Sequence, residues 1–400
     1  MVPEGWSRGH ISDICRLQNG RGFRPPEWDT KGLPIIRIQN LNGNVKFNYY
    51  SGEIEEKWTV DPGQMLFAWA GTKGVSFGPT IWSGPRGVLN QHIFKVFEAD
   101  KIDKVWLYKT LQHVTAQIES RAHGFKATLV HVKKSEIDGL PILIPPFAEQ
   151  KKIAAVLSTW DKAIDVIKKL VENSKAQKKS LMQQLLSGKV HLSGFTSERD
   201  WREVRLSELV EIDTTSLGKK TAPHFTFQYI SLSDVEKGQI SDNLVQLKYS
   251  EAPSRARRVL KTGDILMATV RPNLEAFAMV SNEYSECIAS TGFAVLTARE
   301  NCSNDYLFHY LFSDHVRSQL YGMVVGSNYP AINSSDVKSL RIKCPAYEEQ
   351  ARIAEVLNTA NLKISTLNSS LTRLKSEKSA LMQQLLTGKR RVTIKETEDG

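Results

Sequence analysis

The chain has 400 residues, 41% hydrophobic and 24% charged, a balance that supplies apolar material for two or three cores and excludes a disordered chain. No apolar run approaches membrane-spanning length, and the four scattered cysteines (Cys15, Cys287, Cys302, Cys344) form no CxxC pair, metal spacing or disulfide ladder, so a soluble protein of the reducing cytoplasm with no membrane partner is expected. The net charge of +10 favours a polyanionic partner.

Residues 1–145 alternate short β-like runs with turn residues. Pro34–Gln39, Met65–Trp69 and His92–Phe97 read as strands, set apart by punctuation such as Asn42-Gly43 and Asp61-Pro62-Gly63. Val105–Ser120 carries a helical rhythm, and Gly139–Pro145 is a last strand feeding the next segment. These elements predict an α+β domain.

Residues 146–189 predict one long helix. Proline opens it, Glu149 sits at the positive end of its dipole, and Gly188 can close it with positive φ. Seam positions 153, 157, 160, 164, 167, 171, 174, 178, 181 and 185 carry Ile, Leu, Trp, Ile, Ile, Val, Ser, Lys, Leu and Leu. Steps of four and three, averaging about 3.5 residues, are a coiled-coil signal, and such a helix spans roughly 60 Å. Lys178 interrupts the seam, either to set register or as a side chain that snorkels to solvent.

Residues 190–345 repeat the order of 1–145, and 346–389 repeat the long helix, at an offset of 200 residues. Gly263-Asp-Ile-Leu-Met-Ala echoes Gly63-Gln-Met-Leu-Phe-Ala, while Leu381-Met-Gln-Gln-Leu-Leu copies Leu181-Met-Gln-Gln-Leu-Leu, and Lys378 stands where Lys178 does. The apolar framework recurs but its filling differs, as in Ala70-Gly-Thr-Lys-Gly-Val-Ser against Val270-Arg-Pro-Asn-Leu-Glu-Ala. One scaffold with two sets of loops suggests two binding modules with different targets on a common strut. The simplest closed arrangement folds the two helices antiparallel. Residues 390–400, of mixed charge, are expected to fray.

No catalytic constellation stands out. Ile144-Pro145-Pro146-Phe147 is similar to the Pro-Pro loop of amino methyltransferases, but isoleucine replaces the polar residue that holds the target amine, and no glycine-rich loop follows a strand. Gly188-Lys189 and Gly388-Lys389 lack the other residues of a phosphate loop. Asp29-Thr-Lys31 and the segment Glu275–Arg299 contain acids and bases without a partner carboxylate at a nuclease spacing, and nine dispersed histidines make no metal cluster.

The order domain, helix, domain, helix, with Glu149-Gln150-x-x-Ile153-Ala154 and Glu349-Gln350-x-x-Ile353-Ala354 opening the helices and Gln-Gln-Leu-Leu-x-Gly-Lys closing both, resembles the specificity subunit of type I restriction-modification enzymes over essentially the whole chain. Asn90-Gln91 and Ser290-Thr291-Gly292-Phe293 are weaker carriers of the resemblance. It implies two target recognition domains, 1–145 and 190–345, each reading one half of a split double-stranded DNA site. They are joined by two long antiparallel coiled-coil helices that set the gap. The helices would dock two methyltransferase (M) subunits, with Glu149, Gln150, Glu349 and Gln350 in the docking surface, and restriction/translocase (R) subunits would complete the assembly. The chain itself would be non-catalytic and hold no cofactor or metal, S-adenosylmethionine, ATP and magnesium belonging to the partner subunits.

Basic residues of the two domains are the candidate DNA contacts: Arg37, Lys73, Arg86, Lys126, Lys133 and Lys134 in the first, and Lys219, Lys220, Arg255, Arg257, Arg258, Lys261 and Arg271 in the second. Arginine can grip guanine O6 and N7 with two bonds, and lysine neutralises phosphate. Ser254-Arg-Ala-Arg-Arg-Val is the densest group, its guanidiniums repelling one another unless a polyanion or acidic neighbours compensate. Asn90, Gln91 and Asn328 could read adenine or serve as capping residues. Two alternatives stay open: a coiled-coil scaffold whose end domains bind proteins, and a single-chain nuclease or methyltransferase.

Overall fold

The computed structural model describes residues 2–121, 129–192, 194–195, 201–324 and 330–394. The chain divides into two units, Met1–Lys168 with Ser370–Gly400, and Lys169–Ser369, so the division falls inside both long helices.

In the first unit an antiparallel sheet runs in the order Cys15–Asn19, Ile93–Glu98, Met65–Ala68, Gly78–Ile81. All four residues of Met65–Ala68 are buried, because the strand's alternation serves two cores. Met65 and Phe67 face a core with Trp106, Leu107 and Leu111 of the helix Lys104–Arg121. Leu66 and Ala68 face a smaller core with Ile36, Val60 and Leu89 of a second sheet. That sheet orders Tyr49–Tyr50, Leu33–Ile36, Gly87–Leu89, Thr59–Val60, with its middle pair parallel. A separate pair, Ser7–His10 with Pro141–Ile144, ties the start of the chain to the strand that feeds the first long helix. The strand expected over Pro34–Gln39 stops at Ile36, where Asn40 Oδ1 accepts from Arg37 N at 3.0 Å and starts the helical turn Ile38–Leu41.

The second unit repeats this topology. Its sheets run Val210–Ile212, Phe293–Ala298, Ile265–Ala268, Phe277–Met279 and Val245–Lys248, Thr226–Ile230, Ile288–Ser290, Ala256–Val259. Ile265 and Met267 again face the larger core, Leu266 and Ala268 the smaller one. Arg202–Arg205 pairs with Arg341–Cys344.

The long helices cover Phe147–Leu185 and Tyr347–Leu386. Every seam position read from the sequence, in both copies, is buried or half-buried. The first unit's core takes Ile153, Ala154 and Leu157 together with Leu385 and Leu386. The second takes Ile353, Ala354 and Leu357 together with Leu185 and Leu186. Gly188 and Gly388 adopt φ of +73° and +67°, where a side chain would also press on Trp201 and Pro3 respectively.

The described residues after the second long helix are held to the first unit. Arg391 donates to Glu149, and Val392 packs against the first unit's core, so an ion pair and an apolar contact fasten these residues. Residues 395–400 lie outside the described residues.

Candidate nucleic-acid interface

The first turn of each long helix is fixed by its Glu-Gln pair. Gln150 Oε1 accepts from Asp103 N at 2.8 Å and its amide donates to Pro145 O at 3.0 Å; Gln350 Oε1 accepts from Ser303 N at 2.9 Å and its amide donates to Pro345 O at 3.0 Å. A buried amide must find partners for both ends: the oxygen's comes from the loop that starts the domain's own helix, the nitrogen's from the proline just ahead of the long helix. Glu149 accepts from the Trp6 indole at 3.1 Å and from Arg391; Glu349 accepts from the Trp201 indole at 3.1 Å and lies 3.0 Å from His191 Nδ1. All four side chains are buried. Glu149, Gln150, Glu349 and Gln350, to which the resemblance gives a docking role, fasten each helix to its domain through these buried bonds. The exposed large apolar side chains of these turns are Phe147, 41% exposed, and Tyr347, 49% exposed.

Several basic candidates of the first domain gather around a two-stranded ribbon, Ala70–Thr72 with Leu129–His131. Lys73 is exposed in the turn that follows the first of these strands. Lys133 and Lys134 are exposed just after the second, Lys134 paired with Asp138 and the Lys133 backbone N–H donating to Glu136 at 2.9 Å. Lys126 lies outside the described residues. Two candidates serve elsewhere. Arg37 sits over Trp28 and donates to Asn48 at 3.2 Å, and Arg86 is held by Glu56 at 2.6 Å and Asp61 at 2.9 Å.

At the base of the ribbon stands a cluster that the basic-residue count missed. The Trp69 ring lies 5.1 Å from His92 and 4.8 Å from His131, and its indole donates to Gln91 O at 3.1 Å. His92 Nδ1 is buried without a partner among the described residues. Gln91 is exposed beside it, and Asn90 is half-buried with its N–H on Ile36 O at 3.0 Å. The available signal was the difference between the halves: at the 200-residue offset Trp69, His92 and His131 become Thr269, Gly292 and Ala331.

In the second domain the same place is closed more tightly. Thr269 Oγ1 donates to Gly292 O at 2.8 Å, and Val270 bridges to Ala331. Arg271 follows, exposed, with φ of +49° and its N–H on Pro330 O at 2.7 Å. Arg255 is exposed in a turn whose carbonyl accepts from Thr291 N at 2.8 Å, and Lys219 and Lys220 are exposed in the turn ahead of Thr226–Ile230. Lys261 is exposed, its N–H on Asp264 at 2.8 Å. Arg257 lies over Tyr249, 4.9 Å from the ring centre. Arg258 is paired with Asp213 at 2.7 Å and bonds Ser216 at 3.3 Å, so an acidic neighbour, the other compensation the sequence allowed, relieves part of this arginine cluster. Asn328 lies outside the described residues.

The acids weighed for a nuclease are held internally. The Asp29 carboxyl is pulled below its ordinary range by Ser51 and the Thr30 N–H, while Glu275 is buried against Arg317 and Lys237. Among the described residues no group of His, Cys, Asp and Glu could hold a metal ion, and no helix is long and apolar enough to cross a membrane.

A family model described as the type I restriction modification DNA specificity domain matches residues 3–173 and again 198–376. The chain is 26% identical to the MjaVIII specificity subunit of Methanocaldococcus jannaschii, across 98% of this chain and 94% of that protein. It is 22% identical to the EcoBI specificity subunit of Escherichia coli, across 97% and 86%. In fold it resembles the type I S subunit from M. genitalium (TM-score 0.56, 15% identity, covering 98% of this chain and 97% of that one). It also resembles a chain from a type I R-M system solved for its complex assembly and conformational transition (TM-score 0.61, 17% identity, covering 98% and 100%).

Proposed function

The chain belongs to the type I restriction modification DNA specificity family, and from that premise we propose that it is the specificity subunit of a type I restriction-modification complex, each domain reading one half of a bipartite double-stranded DNA site. One observation carries the reading. Two domains of identical sheet order present different groups at the same place, Trp69, His92 and His131 in one and Thr269, Gly292 and Ala331 in the other. A shared scaffold fixes where DNA is met, and the differing groups fix which bases are accepted, while the exposed lysines nearby neutralise phosphate.

Residues 1–145 and 190–345 act as target recognition domains, and the long helices pair as an antiparallel coiled coil that sets the gap between half-sites. The shared cores of Ile153 with Leu385 and of Ile353 with Leu185 support this pairing. Exposed Phe147 and Tyr347 are the groups by which the helix starts meet two methyltransferase subunits. Restriction/translocase subunits complete the complex, S-adenosylmethionine, ATP and magnesium are held by the partner subunits, and the assembly works in the cytoplasm as phage defence. The chain contributes recognition and no catalytic residue.

The test is genome-wide mapping of N6-methyladenine in a methylation-free host that expresses this chain with its methyltransferase. A split motif that appears only with the chain present is expected. A soluble complex that yields no motif would overturn the reading in favour of a protein-binding scaffold.

A further inference from the structure

The two domains also differ where the short strand at the start of each meets the strand that feeds its long helix. In the second domain Lys343 lies opposite Glu203 in the pair Arg202–Arg205 with Arg341–Cys344. Leu206 N donates to Leu340 O at 2.7 Å, so the alternation of an antiparallel ladder makes 203 and 343 a non-bonded pair, with the Lys343 main chain facing outward. Two tyrosines take those groups. Tyr306 Oη donates to Lys343 O at 2.6 Å, and Tyr310 Oη accepts from Lys343 N at 3.0 Å while lying 2.8 Å from His315 Nδ1.

In the first domain Ile11 N donates to Leu140 O at 3.2 Å, and the same alternation places Leu143, opposite Arg8, in the equivalent non-bonded pair. Trp106 stands for Tyr306, and Thr110 for Tyr310. No side chain among the described residues is bonded to the Leu143 main chain. Among the described residues Trp106 Nε1 and Thr110 Oγ1 are both buried without partners, Thr110 being only 3% exposed. Where the second domain has a phenol ring, the first has a cleft of about 510 Å³ lined by Arg8, His10, Thr110, His113, Gln117 and Leu143. Val114, Ile142 and Leu386 supply apolar walls, and burial holds the His113 imidazole below its ordinary pKa, favouring its neutral form.

We propose that this cleft is a binding site for a phenolic group, its ring packed against Thr110 and Val114 and its hydroxyl accepting from the Leu143 N–H as Tyr310 does from Lys343. The volume admits a ring with a further substituent, and the unpaired donor at Leu143 selects an oxygen at the ring's edge. The group can arrive as a free small phenol or as a tyrosine side chain of a partner subunit.

The test is a titration of the full chain, labelled with 15N-leucine, with p-cresol. We expect a saturable shift of the Leu143 amide resonance, and a loss of at least about ten-fold in apparent affinity in Thr110→Tyr, whose own ring fills the cleft. No saturable change at Leu143 up to the solubility of p-cresol would overturn the proposal, as would an undiminished response in Thr110→Tyr. Should that variant fail to fold, the titration of the parent chain decides alone. Repeating it with the methyltransferase subunit present separates the sources: displacement of p-cresol assigns the site to a partner tyrosine, and unchanged binding assigns it to a free phenol.

Discussion

Lys378 of the second long helix donates to Asp161 of the first, and Lys109 of the first domain donates to the same carboxylate. The residue that looked like a flaw in the apolar seam is thereby neutralised. Desolvation pushes the Asp161 carboxyl up, yet the hydrogen bonds from Lys109 and Lys378 outweigh it and leave its pKa below the ordinary value. At the 200-residue offset the trio becomes Lys178, Asn361 and His309. Lys178 has no ion pair among the described residues, and desolvation, then repulsion from Lys237, lowers its pKa.

Asp161→Asn should therefore leave two largely buried lysines facing each other and cost about 2 kcal/mol, read as a lower urea midpoint for the first unit. The converse change, Asn361→Asp, should raise the stability of the second unit by supplying Lys178 with a counter-ion. Because the Asp161 pKa is depressed, its stabilisation is present above the ordinary aspartate value of 3.8 and disappears as pH falls through the lower folded value.

Gln150→Ala and Gln350→Ala should each destabilise the chain by about 2 to 3 kcal/mol, since the backbone groups of Asp103 and Pro145, or of Ser303 and Pro345, lose buried partners. Hydrogen exchange should rise first in the opening turn of the affected helix. An effect on methyltransferase binding with no change in stability would instead give these side chains a direct contact with the partner.

Arg258→Ala should act through folding before it acts on DNA. With Asp213 at 2.7 Å, the loss is expected at about 1 to 2 kcal/mol, and a double-mutant cycle with Asp213→Ala should show strong coupling. Additive losses would indicate that the pair is not formed in solution, returning Arg258 to the list of free DNA contacts.

Trp69→Ala should relax or abolish recognition of one half-site and leave the other intact, because Thr269, its counterpart, lies in the other compact unit. Methylation mapping of the variant complex reads this directly. Equal loss of both halves would point to a failure of assembly and remove the cluster from the reading surface.

His309 gives a pH signature. Burial, only partly opposed by its bond with Asn358, lowers its pKa from 6.5 to about 4. The unfolded chain then takes up a proton before the folded one, so stability from this group is complete above pH 6.5 and is lost as pH falls, by about 2 kcal/mol at pH 5. His309→Gln should remove that part of the pH dependence, measured as the difference between variant and parent unfolding curves at pH 7 and pH 5.

The sequence by itself determined the repeated architecture. Helix ends, seam positions and the apolar residues of strands such as Met65–Ala68 and Ile265–Ala268 depend on local periodicity and main-chain chemistry, which neighbours in the chain express directly. It also marked Glu149-Gln150 and Glu349-Gln350 as special, but their inward orientation was decided by the Asp103 and Ser303 loops, which lie 47 residues away from each glutamine along the chain. Only the tertiary structure showed that Arg258 is spent on Asp213, that Trp69 gathers His92 and His131, and that Thr110 leaves a cleft where Tyr310 fills one. A charge or an aromatic ring in a sequence carries no record of what stands opposite it; whether it is neutralised, stacked or left open is settled when distant strands and helices close on one another.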